Sequence, residues 1–394
     1  MSRHFELLDF LRSAPKGLLK SYFASRGLLR DVPWDALERR EGVLIAQALE
    51  TVPTDERNRV VADFRNIWDL HGRGFTKGIL NEAQFHEDPA ASQALHAETH
   101  LGKALWAILH RPEWAAKAKV LAEIDQLPDG AWIKRLGLPA RPGLVDGATI
   151  SQLEVGLIEF FTKKQHRGRH CKVVGLRQGE TEIFFAYIED HPDSESVWQS
   201  GQLEPLLFSR SFRLFFRHVD RQRSLDIFIT DDRQIVPDLQ QIFALTTSGE
   251  QIDREAPAAE PIYELDRLLD PGFRFEYSAD LGITDVRITK IRFVVDGEPW
   301  RRFTAEADNL RDHDALKAFV SSLTAQLPPS RLRLDQVCIK VHFAKRQGDR
   351  LPPVRPLYIT DPNSLRLKKD ELGEKIVQML VQSGIEQTAF EDEP

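Results

Sequence analysis

Apolar positions recur with a helical period from the N-terminus to about residue 137. Leu7, Leu8 and Leu11 share one face. Leu18, Leu19, Tyr22 and Phe23 form the next, and Gly27 is placed to stop it. Thr54 is expected to cap a helix with Asp55 and Glu56 in its first turn, where they suit the dipole. Val60, Val61, Phe64, Ile67 and Trp68 form its stripe, and Gly72 and Gly74 are expected to end it. Leu101, Leu105, Ile108 and Leu109 mark a further helix, and Pro112 suits the first turn of the one after it, which carries Trp114. This pattern predicts a helical domain of about six helices over residues 1–137.

Leu138-Pro139-Ala140-Arg141-Pro142-Gly143-Leu144 has the proline and glycine of a linker. Ser151-Gln152-Leu153-Glu154 then matches a capping box, flanked by Ile150 and Val155 at staple positions. After that helix the period shifts toward 2. Cys171–Leu176 and Glu182–Tyr187 read as strands around the turn Arg177-Gln178-Gly179-Glu180. Phe212–Phe216 and Leu225–Ile229 read as a second pair around Asp220 and Gln222. A helix follows with Ile235, Leu239, Ile242 and Phe243 on one face and Pro237 in its first turn.

The polar, turn-rich stretch from Ser248 to Pro261 reads as a linker. The same grammar then returns. Val286–Val295, the turn Asp296-Gly297 and Trp300–Ala305 make a hairpin. A helix carries Leu316, Phe319, Val320 and Leu323 up to Pro328-Pro329. Val337–Phe343 and Leu357–Ile359 pair around the loop Ala344–Pro353, and a last helix carries Leu372, Ile376 and Leu380 before Gly384. The fold class expected is α plus α+β. A helical domain (1–137) precedes two β-hairpin/helix units (150–247 and 262–390) that build a mixed or antiparallel sheet body with the pattern of a duplication. The acidic tail Glu391-Asp392-Glu393-Pro394 is expected to fray.

Composition narrows the class. In 394 residues, 42% hydrophobic and 29% charged content fits globular domains with real cores. No run of about 18 apolar residues is present, so no membrane partner is expected. Met1-Ser2-Arg3-His4-Phe5-Glu6 lacks the apolar segment of a signal peptide and reads as a helix start. The two cysteines, Cys171 and Cys338, exclude a disulfide framework and suit a reducing cytoplasm.

Charge changes the picture most. The chain carries −7 overall, yet Lys163-Lys164-Gln165-His166-Arg167-Gly168-Arg169-His170-Cys171-Lys172 holds five Lys or Arg, two His and no acid. Concentrated cations in an otherwise acidic chain are what a phosphate-binding surface requires. Lys163, Lys164, Arg167, Arg169 and Lys172 would clamp phosphates. Gly168 would let the backbone approach, and His166 and His170 would add hydrogen bonds. Arg210, Arg213, Arg217, Arg221 and Arg223 are interleaved with Phe212, Phe215 and Phe216. Arg213 and Arg217 share a strand face, and arginine beside an exposed aromatic binds backbone and stacks bases. Lys340, Lys345, Arg346, Arg350 and Arg355 bracket the last strand pair as a third cationic group.

Enzyme signatures are weaker. His96 and His100, four apart, have a metal-binding spacing on one helix, with His86 or His110 as further ligands, but the run is not His-Glu-x-x-His. His166, His170, Cys171 and His191 form a second possible ligand set. Glu189, Asp190, His191 and Asp193 read as an acidic turn after a strand. Neither a P-loop, nor Gly-x-Gly-x-x-Gly, nor Gly-x-Ser-x-Gly occurs, and the Glu-x-Lys of a restriction-type nuclease is missing. The expectation is a non-enzymatic cytoplasmic protein that binds nucleic acid or another polyphosphate and needs no cofactor. Two alternatives are a protein-interaction subunit of a multi-component bacterial complex, defence-related for example, and a metal-dependent hydrolase.

Overall fold

The computed structural model describes residues 4–34, 36, 42–125, 131–139, 145–178, 180–199, 201–229, 233–253, 261–270, 272–295, 301–307, 315–327, 331–345, 351–368 and 370–387. The chain divides into two compact units, Met1–Leu127 and Pro128–Pro394. Among the described residues there are twelve α-helices and one ten-stranded antiparallel sheet, so the architecture is mixed α/β with the helices leading.

The first unit holds eight of the helices: α1 (Leu7–Ser13), α2 (Lys16–Ser25), α3 (Gly42–Leu49), α4 (Thr54–Leu70), α5 (Arg73–Phe85), α6 (Pro89–Ala97), α7 (His100–His110) and α8 (Pro112–Asp125). The predicted stripes meet in one core, where Phe10 stacks on Phe64 at 4.4 Å and Tyr22 packs on Phe64 at 4.7 Å. Two boundaries differ from the pattern. Thr54 is the first residue of α4, and Pro53 occupies the cap position without a side-chain bond. Gly72 caps α5, and Gly74 lies inside that helix rather than ending α4. Proline's fixed φ is compatible with a helix start, although it supplies no side-chain acceptor for the first-turn N–H groups.

The second unit opens with β1 (Ala131–Arg135), a strand inside the stretch whose periodicity reads as helical. Then come α9 (Gly147–Gln165), β2 (Cys171–Gln178), β3 (Thr181–Gln199), β4 (Gln202–Val219), β5 (Ser224–Phe228) and α10 (Val236–Ser248). The chain continues with β6 (Ile283–Val295), β7 (Arg301–Glu306), α11 (Ala315–Gln326), β8 (Leu332–Phe343), β9 (Val354–Thr360), β10 (Ser364–Arg366) and α12 (Glu371–Gln382). The strand order is β2-β3-β4-β5-β1-β10-β9-β8-β6-β7. Both hairpin/helix segments therefore enter one sheet, joined through the short strands β1 and β10. The hairpin grammar is shared, but the order is not. The first half runs in chain order, whereas β6 lies inside β7 in the second.

The halves bury opposite faces. In the first half, Leu153, Leu157 and Phe161 of α9 and Leu239 and Phe243 of α10 cover Phe184, Ala186, Leu214 and Phe216. In the second half, Leu372, Ile376 and Met379 of α12 and Val320 of α11 cover Ile291, Val337 and Ile359. Cross-strand register runs from Trp132 through Leu365 to Ile359, which puts Trp132 on the same face as the second core. Helix α9 starts earlier than the capping-box pattern predicts. Asp146 is its cap, accepting from the Thr149 N–H at 2.7 Å, and Ser151 lies inside the helix. Glu154 instead reaches the first sheet strand, accepting from the Val173 N–H at 2.8 Å.

The predicted turn at Asp296-Gly297, the prolines Pro328-Pro329, the acidic tail, and parts of the linkers 138–144 and 248–261 and of the loop 344–353 lie outside the described residues. None of the described helices is long and apolar enough to cross a membrane.

Candidate nucleic-acid interface

The basic stretch spans the exit of α9 and the start of β2. His166 (φ 55°) closes the helix in the left-handed conformation, and Gly168 (φ 79°) turns the chain back. A Cβ at Gly168 would lie 2.6 Å from Cβ of Phe161, so glycine is required there for conformation and space together. Lys163 and Lys164 sit in the last turn of α9, where positive charge favours the helix terminus.

The cations divide into committed and uncommitted groups. Arg167 is largely buried. Its Nη1 donates to Asp190 Oδ1 at 2.8 Å, its Nε donates to Gln165 Oε1 at 2.9 Å, and its guanidinium lies 4.0 Å from the centre of the Phe212 ring. Burial pushes the Asp190 carboxyl up, but hydrogen bonds from Arg167 and the His191 N–H outweigh it and leave the group below its ordinary range. His170 pairs with Glu189 at 2.8 Å, and Lys172 with Glu154 at 3.1 Å. Lys163, Lys164, His166 and Arg169 are exposed, and neither lysine nor Arg169 makes an ion pair with a described residue.

On β4, Arg213 is exposed. Register places Lys172, Tyr187 and Arg213 side by side across β2, β3 and β4 on one face. Arg217 shares that face but is engaged inward, with Asp226 at 3.2 Å and Glu374 at 3.1 Å. Burial lowers its affinity for the proton, yet attraction by Glu374 and Asp226 prevails and raises it. The phenylalanines expected to stack bases are not available. Phe215 and Phe216 are fully buried, and Phe212 carries Arg167. Where both faces of a strand are covered, large aromatics go to the covered sides, because they remove the most apolar area from water.

A further cationic surface lies on the second half of the sheet, on the face opposite its helices. Tyr358 is exposed there, in register with Arg366 on β10 and with Cys338 and Lys290 on β8 and β6. Lys340, one residue pair along, is exposed without an ion pair to a described residue. Of the third cationic group, Arg355 is held by Asp370 at 2.9 Å, and Arg346 and Arg350 lie outside the described residues. Lys290, paired with Glu306 at 2.8 Å, and Arg366 lie far apart in sequence, and strand pairing brings them together around Tyr358.

The metal patterns come apart in the fold. His96 lies in the last turn of α6, while His100 begins α7 behind its own cap, Thr99. His96 Nδ1 contacts Ser92 O at 2.6 Å, and His100 Nδ1 contacts Thr76 Oγ1 at 2.8 Å. The break follows from Thr99, which accepts from the Gly102 N–H and starts a new helix. Glu189, Asp190, His191 and Asp193 belong to β3 around a bulge between Glu189 and Pro192, not to a turn. Among the described residues no three His, Cys, Asp or Glu side chains are grouped to hold a metal ion. Cys171 is half-buried, and its thiol is pushed up to about 12 by burial, then by Glu154.

Compared with known proteins, the sequence matches no family model and no curated protein.

Proposed function

We propose that this chain is a non-enzymatic cytoplasmic protein that binds nucleic acid through its phosphate backbone. The contact surface is the exit of α9; the row Lys172, Tyr187 and Arg213 adds cations on the sheet face away from that helix. The supporting observation is that Lys163, Lys164 and Arg169 stand exposed without ion pairs to described residues, in a chain of net charge −7. Lys172, on the edge strand β2 and paired with Glu154, and Arg213, on β4, carry further positive charge on that opposite face. Arg167 supports the α9 exit from below by fixing the turn through Asp190 and Phe212. Phosphate contacts of this kind position a nucleic acid without reading its sequence, so sequence preference is expected to be slight.

The test is fluorescence-anisotropy titration of labelled single-stranded DNA, duplex DNA and RNA at two salt concentrations. Wild type is compared with a K163A/K164A/R169A variant. The expected result is salt-sensitive binding that the variant weakens, with the duplex salt slope falling by about 0.9 for each phosphate no longer neutralised. Equal binding by both proteins, or none at low salt, removes the reading.

A further inference from the structure

Strands β3 and β4 run far past the body of the sheet. Strand β2 leaves β3 at Ile188, and β5 meets β4 only from Phe215 onward. Between these limits β3 and β4 pair only with each other, from Pro192↔Ser209 to Gln199↔Gln202. These eight pairs form a two-stranded ribbon about 26 Å long at ~3.3 Å per residue.

The ribbon sorts its residues by face. Register puts Ser194, Ser196, Trp198, Leu203, Pro205 and Leu207 on one side. No charge occurs among them, and Trp198, Leu203 and Leu207 are 74%, 58% and 73% exposed. The charged residues Asp193, Glu195 and Glu204 all lie on the other side, among Val197, Leu206 and Phe208, with Arg210 held by Asp193 at 3.3 Å and Glu195 at 3.7 Å. Sorting of this kind is expected for a strip that is covered in use.

We infer that the ribbon is a self-association arm, in which the apolar strips of two copies pack face to face about a two-fold axis. A two-fold interface brings a surface onto itself, so any charge on it meets its own like. This strip has none, and the acids on the far side point away from the partner copy. The same acids disfavour an anionic membrane surface. Each edge is blunted against open-ended pairing at one position. Pro192 and Pro205 have no N–H to give, so each removes a donor that an incoming strand would need. Face-to-face packing about a two-fold axis covers the strip of both copies and so stops at two. A strip about 26 Å by 10 Å covers roughly 260 Å² per copy, so the pair is small and weak beside a standard interface. The arm is separate from the basic surface at α9, and the dimer does not depend on that surface binding nucleic acid.

Sedimentation velocity of the full chain from about 1 to about 200 μM tests this, a range chosen for a weak complex. The expected result is a monomer–dimer shift with concentration, abolished in W198S/L207S and kept in K163A/K164A/R169A. An S196C variant should cross-link to a dimer on oxidation, and V197C, on the opposite face, should not. A wild-type monomer throughout, or a dimer that W198S/L207S retains, overturns the inference. Wild type that stays monomeric but co-sediments with phosphatidylcholine vesicles through Trp198 also overturns it and gives the arm to a lipid surface.

Discussion

Gly168 and His218 show how single side chains carry local energetics. Gly168→Ala forces a Cβ to within 2.6 Å of Phe161 at a positive φ, so a loss of about 1–3 kcal/mol is expected in urea unfolding. His218 is buried beside Glu182 at 3.6 Å, with Asp220 also near, and burial holds its proton affinity below the ordinary 6.5. The unfolded chain therefore binds a proton that the folded chain resists. Stability is full above about 6.5 and falls as pH drops below it. His218→Gln should flatten that part of the pH–stability curve. The basic run and the helical stripes were legible at this scale because each depends on neighbours in sequence. The engagement of Arg167 by Asp190 and Phe212 was not, because these partners lie 23 or more residues away.

At the scale of elements, the turn from α9 into β2 separates support from binding. Arg167→Ala removes an ion pair and a ring contact, and a loss of about 1–2 kcal/mol is expected. K163A/K164A/R169A should leave the melting temperature nearly unchanged, because those cations touch no acid among the described residues. Differential scanning fluorimetry of both variants checks the distinction. Helix starts were only partly readable. Asp146 and Ser151 both offer caps in sequence, and α9 takes the earlier one because Glu154 is engaged by the Val173 N–H and Lys172. Strand β3 was read only to Tyr187, because its outer half buries nothing and so lacks an apolar alternation facing the body.

Across the whole second unit, charge threads the centre of the sheet. Arg217, Asp226 and Lys134 sit side by side on β4, β5 and β1, and Lys134 pairs with Glu386, 252 residues away in sequence. Burial disfavours the Lys134 charge, but Glu386 and Asp226 outweigh it and hold the proton. Glu386→Ala would leave that ammonium without its closest partner, and about 3–5 kcal/mol of stability should be lost. K134M/E386L should recover most of it, since a matched apolar pair leaves no orphan charge. Chemical denaturation of the three variants measures this.

The sequence by itself determined the helical first unit, the hairpins, both cysteines as unpaired thiols and the concentration of cations at Lys163–Lys172. Each of these rests on periodicity or composition within a short window. Only the tertiary structure decided that β1 and β10 stitch the two halves into one sheet, that Phe215 and Phe216 are core, and that Lys290, Lys340 and Arg366 gather around Tyr358. Strand pairing joins residues far apart in the chain, and which face a side chain shows to water depends on what packs against the other.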